Sequence, residues 1–324
     1  MYSHHDLLIE SSDSTSDKEN DRALLALGKW LSDRQYHFTT VTPETHRIYL
    51  QKHPAAAENL RDVFGWSKLF KRSWMDGEAL ELMRQAGVLK VNGETCQSAV
   101  RWSTLKNMLF SHAAYPPDAE DAVFFGPDTY RFVRMIEKFL NTDVQVKRAV
   151  DIGCGCGAGA LVVARHFPDA QVFAVDINQQ ALRLTEVNAR LANLNNVYTQ
   201  QSNVLDEVEG FFDLVISNPP YMRDDTRRKY RHGGDMQGSE ISLKIVHDAF
   251  PRLNSGGTLL LYTGACIVGG EDEFLKAVTS YLADKPCSWT YEEIDPDVFS
   301  EELPLKGYTD VERIAVVGLV VVHN

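Results

Sequence analysis

Three short segments of this 324-residue chain carry the groups that could do chemistry. In the first, Val150-Asp151-Ile152-Gly153-Cys154-Gly155-Cys156-Gly157-Ala158-Gly159-Ala160, an apolar strand runs into a loop whose glycines allow turns that a side chain would obstruct. Such a loop can lie flat against a ligand, and Asp151 at the strand end disfavours a phosphate and suits an ammonium group. In the second, Ala174-Val175-Asp176-Ile177-Asn178, an acidic side chain ends the next strand, where it can accept hydrogen bonds from both hydroxyls of a ribose. NAD and S-adenosylmethionine share that ribose, so Asp176 and Ile177 alone do not separate them. The third segment, Ile216-Ser217-Asn218-Pro219-Pro220-Tyr221, ends a later strand. Two prolines stiffen this turn, so the Asn218 amide oxygen and the Pro219 carbonyl can face one planar nitrogen while Tyr221 packs on it.

The elements that must position these segments follow from hydrophobic periodicity. From residue 121 onward, apolar runs at 148–152, 171–175, 197–201, 213–217 and 258–262 alternate with helical segments, the pattern of a parallel sheet covered on both faces. Two more strands are expected at 289–294 and 313–322. Ahead of them, residues 21–117 show helical spacing. Leu24, Leu27, Trp30 and Leu31 form a stripe, Thr42-Pro43-Glu44 is a helix start, and Asp76 opens a helix that stops at Gly87. The period then falls to two, and 88–91, the Asn92-Gly93 turn and 95–102 read as a β-hairpin. Helices followed by a two-stranded wing suggest a winged-helix-like module serving as lid, dimer contact or substrate cover. Residues 1–20, with a Glu10-Ser11-Ser12-Asp13-Ser14 cluster, read as a disordered tail.

Composition narrows the classes. Lys and Arg total 33 against 45 Asp and Glu, a formal charge of −12, which disfavours a nucleic-acid or anionic-membrane partner. No apolar run approaches the ~20 residues of a membrane helix. The five cysteines, without framework spacing and without a visible secretory signal, read as reduced thiols of a cytoplasmic protein. No metal site is expected, because neither His4-His5 nor Cys154 with Cys156 has partners at ligand spacing. The basic run from Arg223 to His232 and the acidic residues Glu292, Glu293, Asp295, Asp297, Glu301 and Glu302 read first as solvated loops. Tyr308 is assigned equally to packing or to an acceptor pocket.

Asp151-x-Gly153-x-Gly155-x-Gly157, then Asp176, then Asn218-Pro219-Pro220-Tyr221 resembles the class I S-adenosylmethionine-dependent methyltransferases that modify amide or amino nitrogens. A closer likeness is to the HemK/PrmC-type glutamine methyltransferases. Gly126-Pro127-Asp128-Thr129 lies where that family has Arg-Pro-Asp-Thr-Glu, and Gly233-Gly234-Asp235 follows the proline turn. The sequence departs from the family at Gly126, at Tyr130 and at Asn203, the last replacing an acidic residue that meets the adenine amino group. The resemblance implies an α/β fold with a doubly wound, seven-stranded, mostly parallel sheet over residues 118–324, behind an N-terminal helical cover. It implies S-adenosylmethionine as cofactor, with Asp128, Thr129, Asp151, Gly153, Gly155, Gly157, Asp176, Ile177, Asn203 and Asn218 binding it. Asn218, Pro219 and Tyr221 would act in catalysis. Asp128 and Thr129 could equally cap a helix. The acceptor is either a protein glutamine or a small amine- or amide-bearing molecule, and the altered motif tilts the reading toward the small molecule. Transfer of the aminocarboxypropyl arm, adenine-N6 methylation of nucleic acid, or binding without turnover are the rivals.

Overall fold

The computed structural model describes residues 8–9, 17–117, 119–222, 233–234, 238–305 and 307–324. The N-terminal elements are β1 (Leu8–Ile9), α1 (Asp17–Asp33), α2 (Pro43–Lys52), α3 (Leu60–Phe64), β2 (Phe70–Lys71), α4 (Gly77–Gln85), β3 (Leu89–Asn92), β4 (Thr95–Ser98), β5 (Val100–Leu105) and β6 (Met108–Ala113). Helix α1 starts inside the stretch read as tail; its acidic first turn complements the helix dipole, and Ala23, Leu24, Leu27, Trp30 and Leu31 form its buried stripe. His4, His5 and the Glu10 to Ser14 cluster lie outside the described residues. Thr42 caps α2 by accepting from the Thr45 amide, with Pro43 in the first turn, and Asp76 caps α4 through the Glu78 and Ala79 amides.

The expected single hairpin is two. Residues 95–102 do not form one strand: β4 pairs with β3 in a small sheet of order β1-β3-β4-β2, and β5 turns away to pair with β6. The second turn uses Lys106 and Asn107, both at positive φ, as a two-residue hairpin requires.

Residues 127–323 form the larger layer: α5 (Pro127–Leu140), β7 (Arg148–Ile152), α6 (Ala158–His166), β8 (Gln171–Asp176), α7 (Gln179–Leu191), β9 (Val197–Gln201), β10 (Phe212–Ser217), α8 (Glu240–Ala249), β11 (Leu253–Val268), β12 (Glu271–Asp272), α9 (Glu273–Leu282), β13 (Cys287–Asp295) and β14 (Arg313–His323). Seven strands lie in the order β13-β14-β11-β10-β7-β8-β9, with β12 a short addition to β11. Strands β7 to β11 of this order run parallel, and β14 is antiparallel to both its neighbours. Strand alternation divides the core. Ala149, Leu214, Ile216 and Leu260 face α5, α6 and α7, whereas Val150, Ile152, Val215 and Leu259 face α8 and α9.

Helix α7 is where the N-terminal elements dock. Buried Asn188 accepts from the Ser111 amide at 2.9 Å and donates to the Ser111 and Cys156 carbonyls at 3.2 and 2.9 Å, tying β6 to the glycine loop. Asp21 of α1 pairs with Arg183 at 2.5 Å. The Tyr130 phenol of α5 accepts from the Thr40 amide at 3.1 Å.

Order reverses between β7 and β10, so their carboxyl ends flank a crevice. Register sets Ser217 opposite Ile152, and the Ser217 hydroxyl donates to the Ile152 carbonyl at 2.7 Å, so Asn218 leaves the sheet beside Gly153. The Tyr221 ring then packs on β11 at Gly264, where an added Cβ would sit 2.2 Å from ring carbon Cδ2. Gly264→Ala is therefore expected to cost about 1–3 kcal/mol through overpacking, read as a lower urea midpoint at unchanged m. An unchanged midpoint would contradict the close approach.

Candidate active site

The crevice opens into a cavity of about 370 Å³, within the range of small-molecule sites. Its lining includes Thr129, Asp151, Gly153, Gly155, Asp176, Ile177, Asn203, Asn218 and Pro219, so one place gathers most of the residues singled out by sequence.

The glycine loop is shaped by the carboxylate opposite it. Gly153, Gly155 and Gly157 all have positive φ. The Gly155 amide donates to Asp176 Oδ2 at 3.0 Å, and the Asn178 amide donates to Asp176 Oδ1 at 2.9 Å. A side chain at Gly155, with φ +56°, would carry a left-handed backbone cost just where the loop must turn to that carboxylate. Asp176 is not the helix cap, a role taken by Asn178, whose side chain accepts from the Gln180 amide. Beside it, Ile177 is 47% exposed, an apolar surface at the rim of the cavity.

Asp151 is buried and accepts from the Ala160 amide at 2.8 Å, in the first turn of α6. Burial pushes its carboxyl up to about 7, with Asp176 adding in the same direction and the Ala160 bond opposing. Cys154 and Cys156 are buried free thiols, held above their ordinary range by burial. They are packing groups of the loop, Cys154 lying 3.6 Å from the Thr185 hydroxyl. Among the described residues no cluster of His, Cys, Asp and Glu could hold a metal ion.

The proline corner is half-buried at Asn218 and buried at Pro219. Pro219 and Pro220 carry no amide hydrogen, so their backbone offers carbonyl oxygens only. Tyr221 departs from its expected place: it does not line the cavity. Its ring is buried, and its hydroxyl donates to Asp128 Oδ2 at 2.6 Å. Asp128 likewise leaves the cavity lining for a structural role. Its Oδ1 accepts from the Tyr262 hydroxyl at 2.9 Å and from Arg131 at 3.0 Å, and Arg131 continues to Asp295 at 3.0 Å. Burial first, and Asp128 next, raise the Tyr221 and Tyr262 phenols above their ordinary range, so both stay protonated donors. Thr129 does both things weighed for it, accepting from the Gly126 amide at 3.2 Å and lining the cavity.

Tyr262, Arg131, Ile241, Lys244 and Ile245 were not singled out by sequence; the last three bring α8 to the cavity wall. The only local signal was Arg131, one helical turn beyond Asp128. Tyr308 is buried and absent from the lining. Glu292, Glu293 and Asp295 pair with Lys138, Arg313 and Arg131. The run from Arg223 to His232, and Asp235, lie outside the described residues.

The strand order with β14 reversed between β13 and β11, and a cavity at the switch point between a glycine loop and a proline corner, define a class I methyltransferase fold. Residues 133–265 match the methyltransferase small domain family. Over 134 residues, 37% of this chain and 45% of the relative, the chain is 34% identical to a release factor glutamine methyltransferase of Rhodopirellula baltica. It is 29% identical to that of Lactococcus lactis subsp. lactis over 219 residues, 64% of this chain and 77% of the relative. It is also 29% identical to a ribosomal protein uL3 glutamine methyltransferase of Neisseria gonorrhoeae over 140 residues, 40% and 46% of the two chains. The first relatives are matched over about half their length, 45% and 52%.

The Asp128 cluster gives a test of how the corner is held. Tyr221→Phe is expected to cost about 1–2 kcal/mol and Asp128→Ala about 3 kcal/mol or more, because the latter strands two buried phenols. The double variant should cost clearly less than the sum in denaturant unfolding. Strict additivity would mean that the two groups do not act together.

Proposed function

We propose that this chain is an S-adenosylmethionine-dependent N-methyltransferase whose acceptor is the side-chain amide of a protein glutamine. The observation that carries the reading is the position of Asn218, which leaves the sheet beside Gly153 in the same cavity as Asp176. The relatives named as glutamine methyltransferases favour a protein glutamine over the small-molecule acceptor to which the altered motif pointed.

The cavity suits such a cofactor on its own terms. Asp176 presents a carboxylate to ribose hydroxyls, Ile177 an apolar face to a base, and the glycine loop bare backbone at Gly153 and Gly155. Asp151 is the acidic group for an ammonium. When bound, the sulfonium supplies an activated methyl that needs neither an acid nor a metal to leave. The chain's task is then to orient a neutral nitrogen and exclude water. Asn218 has no hydrogen-bond partner among the described residues, so its side-chain oxygen is available to an N–H. The Pro219 carbonyl is the second acceptor, and the corner has no backbone N–H at Pro219 or Pro220 to repel one. As positive charge grows on the nitrogen, these oxygens stabilise it without moving, because the Asp128 cluster fixes the turn.

Incubation of the protein with S-adenosylmethionine and release factor or uL3 should give S-adenosylhomocysteine and an acceptor heavier by one methyl. Methylthioadenosine as product would instead indicate transfer of the aminocarboxypropyl arm. Asn218→Ala should lower methyl transfer by about 100-fold or more while leaving S-adenosylhomocysteine affinity within a few-fold. Full activity of that variant would remove Asn218 from catalysis.

The raised Asp151 carboxyl gives a pH dependence. In the unfolded chain it ionises near ~3.9. The stability it contributes is therefore fully present below about 4 and lost as pH rises to about 7. An ammonium placed against it favours the ionised form. Affinity for S-adenosylhomocysteine should rise from about pH 5 to 7 and level off above, and Asp151→Asn should flatten the rise. Calorimetric titration across this range checks it; a wild-type affinity independent of pH would contradict the assignment.

A further inference from the structure

The turn after β9 is built more tightly than a surface loop needs. Val204 lies at φ +56°, a left-handed conformation costly for a β-branched residue. The turn is held by local bonds. The Asp206 amide donates to the Asn203 carbonyl at 3.2 Å, the Asn203 amide to Glu207 Oε2 at 3.0 Å, the Glu207 amide to Ser202 Oγ at 3.3 Å, and Ser202 Oγ to the Val204 carbonyl at 3.0 Å. Ser202, Asn203 and Val204 all line the cavity.

Within this turn the Asn203 side chain has one committed end. Its Nδ2 donates to Asp206 Oδ2 at 3.0 Å, while Asp206 Oδ1 lies 3.8 Å from Lys244 Nζ. An ionised carboxylate only accepts, so the end of the amide that faces Asp206 must be the NH2. The other end is the carbonyl oxygen, which has no partner among the described residues. A free Asn amide is ambivalent, because half a turn about its last bond exchanges donor for acceptor. Asp206 removes that ambivalence. Lys244 sits on the far side of Asp206 from Asn203, and is itself held by Asp248.

We propose that Asp206 is a positioning residue that fixes Asn203 as a hydrogen-bond acceptor and so selects a purine bearing an amino group at C6 over one bearing an oxygen there. An exocyclic amine donates and a 6-oxo group accepts, so a locked carbonyl oxygen attracts the first and repels the second. This rests on the cofactor reading above and adds to it the group that enforces base choice.

The test is calorimetric binding of S-adenosylhomocysteine and of its inosine counterpart, with the 6-amino group replaced by oxygen, to the full chain. The wild type is expected to prefer the adenosine form by roughly tenfold or more. In Asp206→Ala the amide is free to turn, and the preference should fall to within about threefold of unity. Asp206→Asn, which preserves the size of the turn residue but can present either end of its own amide, should fall between. Asn203→Asp restores an obligatory acceptor and should keep the full preference. A folding defect would weaken both ligands together and leave their ratio unchanged, so the ratio reports positioning and not stability. The proposal is overturned if both Asp206 variants bind and keep the wild-type ratio, or if the wild type itself shows no preference. Failure of both nucleosides to bind the wild type would instead overturn the cofactor reading on which it stands.

Discussion

A single buried carboxylate organises the reactive end of this molecule. Asp128, in the first turn of α5, accepts from Tyr221 after β10, from Tyr262 on β11 and from Arg131 one helical turn along its own helix. Three segments that meet nowhere in sequence are thereby fixed to one point. The Asn218 corner lies between that point and the β7–β10 register, with Ser217 bonded to the Ile152 carbonyl at one side and Tyr221 anchored at the other. A turn held at both ends has few ways to move, and two consecutive prolines remove more. Acceptors aimed in this way need little reorganisation when charge appears, which is the physical basis of electrostatic catalysis.

The second constraint acts from the opposite wall. Asp176 receives the Gly155 amide and so draws the glycine loop toward β8, while Asn188 binds that loop's Cys156 carbonyl and the N-terminal hairpin together. The N-terminal elements are therefore not merely adjacent to the cavity. Their docking on α7 passes through one asparagine to the loop that forms the cavity floor. Any displacement of β6 would be felt at the glycine loop, a coupling that composition could not disclose.

Much of the sheet was legible because its strands are buried on both faces and read as apolar runs. The boundaries expected at 148–152 and 197–201 are those of β7 and β9. Strand β11 is much longer than the run at 258–262 suggested, since Gly264 interrupts the apolar pattern while pairing with β14 carries the strand on to Ile267. The β5–β6 hairpin escaped for a related reason. Ser103, Ser111 and His112 are fully buried there, and Ser103 meets both Thr40 and His112. Polar side chains inside a core look, to a hydrophobic pattern, like surface.

At the site, residue types that a glycine loop, a ribose or an amide require were readable at Gly155, Asp176 and Asn218. The direction of Tyr221 was not, because it depends on partners 93 and 43 positions away in the chain: on Asp128 and on the bare backbone of Gly264. A tyrosine after two prolines can as well face a substrate as a core, and only the missing Cβ on β11 decides between them. Asn203 posed the converse problem. Its identity was visible as a departure, but its role depends on the carboxylate three residues later.

The most direct test of the account is a crystal structure of the protein with S-adenosylhomocysteine. The account predicts the ribose hydroxyls on Asp176 and the sulfur facing Asn218 across a gap that one methyl and one nitrogen can fill. A nucleoside bound elsewhere, or a sulfur turned away from Asn218 with the proline corner facing solvent, would contradict it.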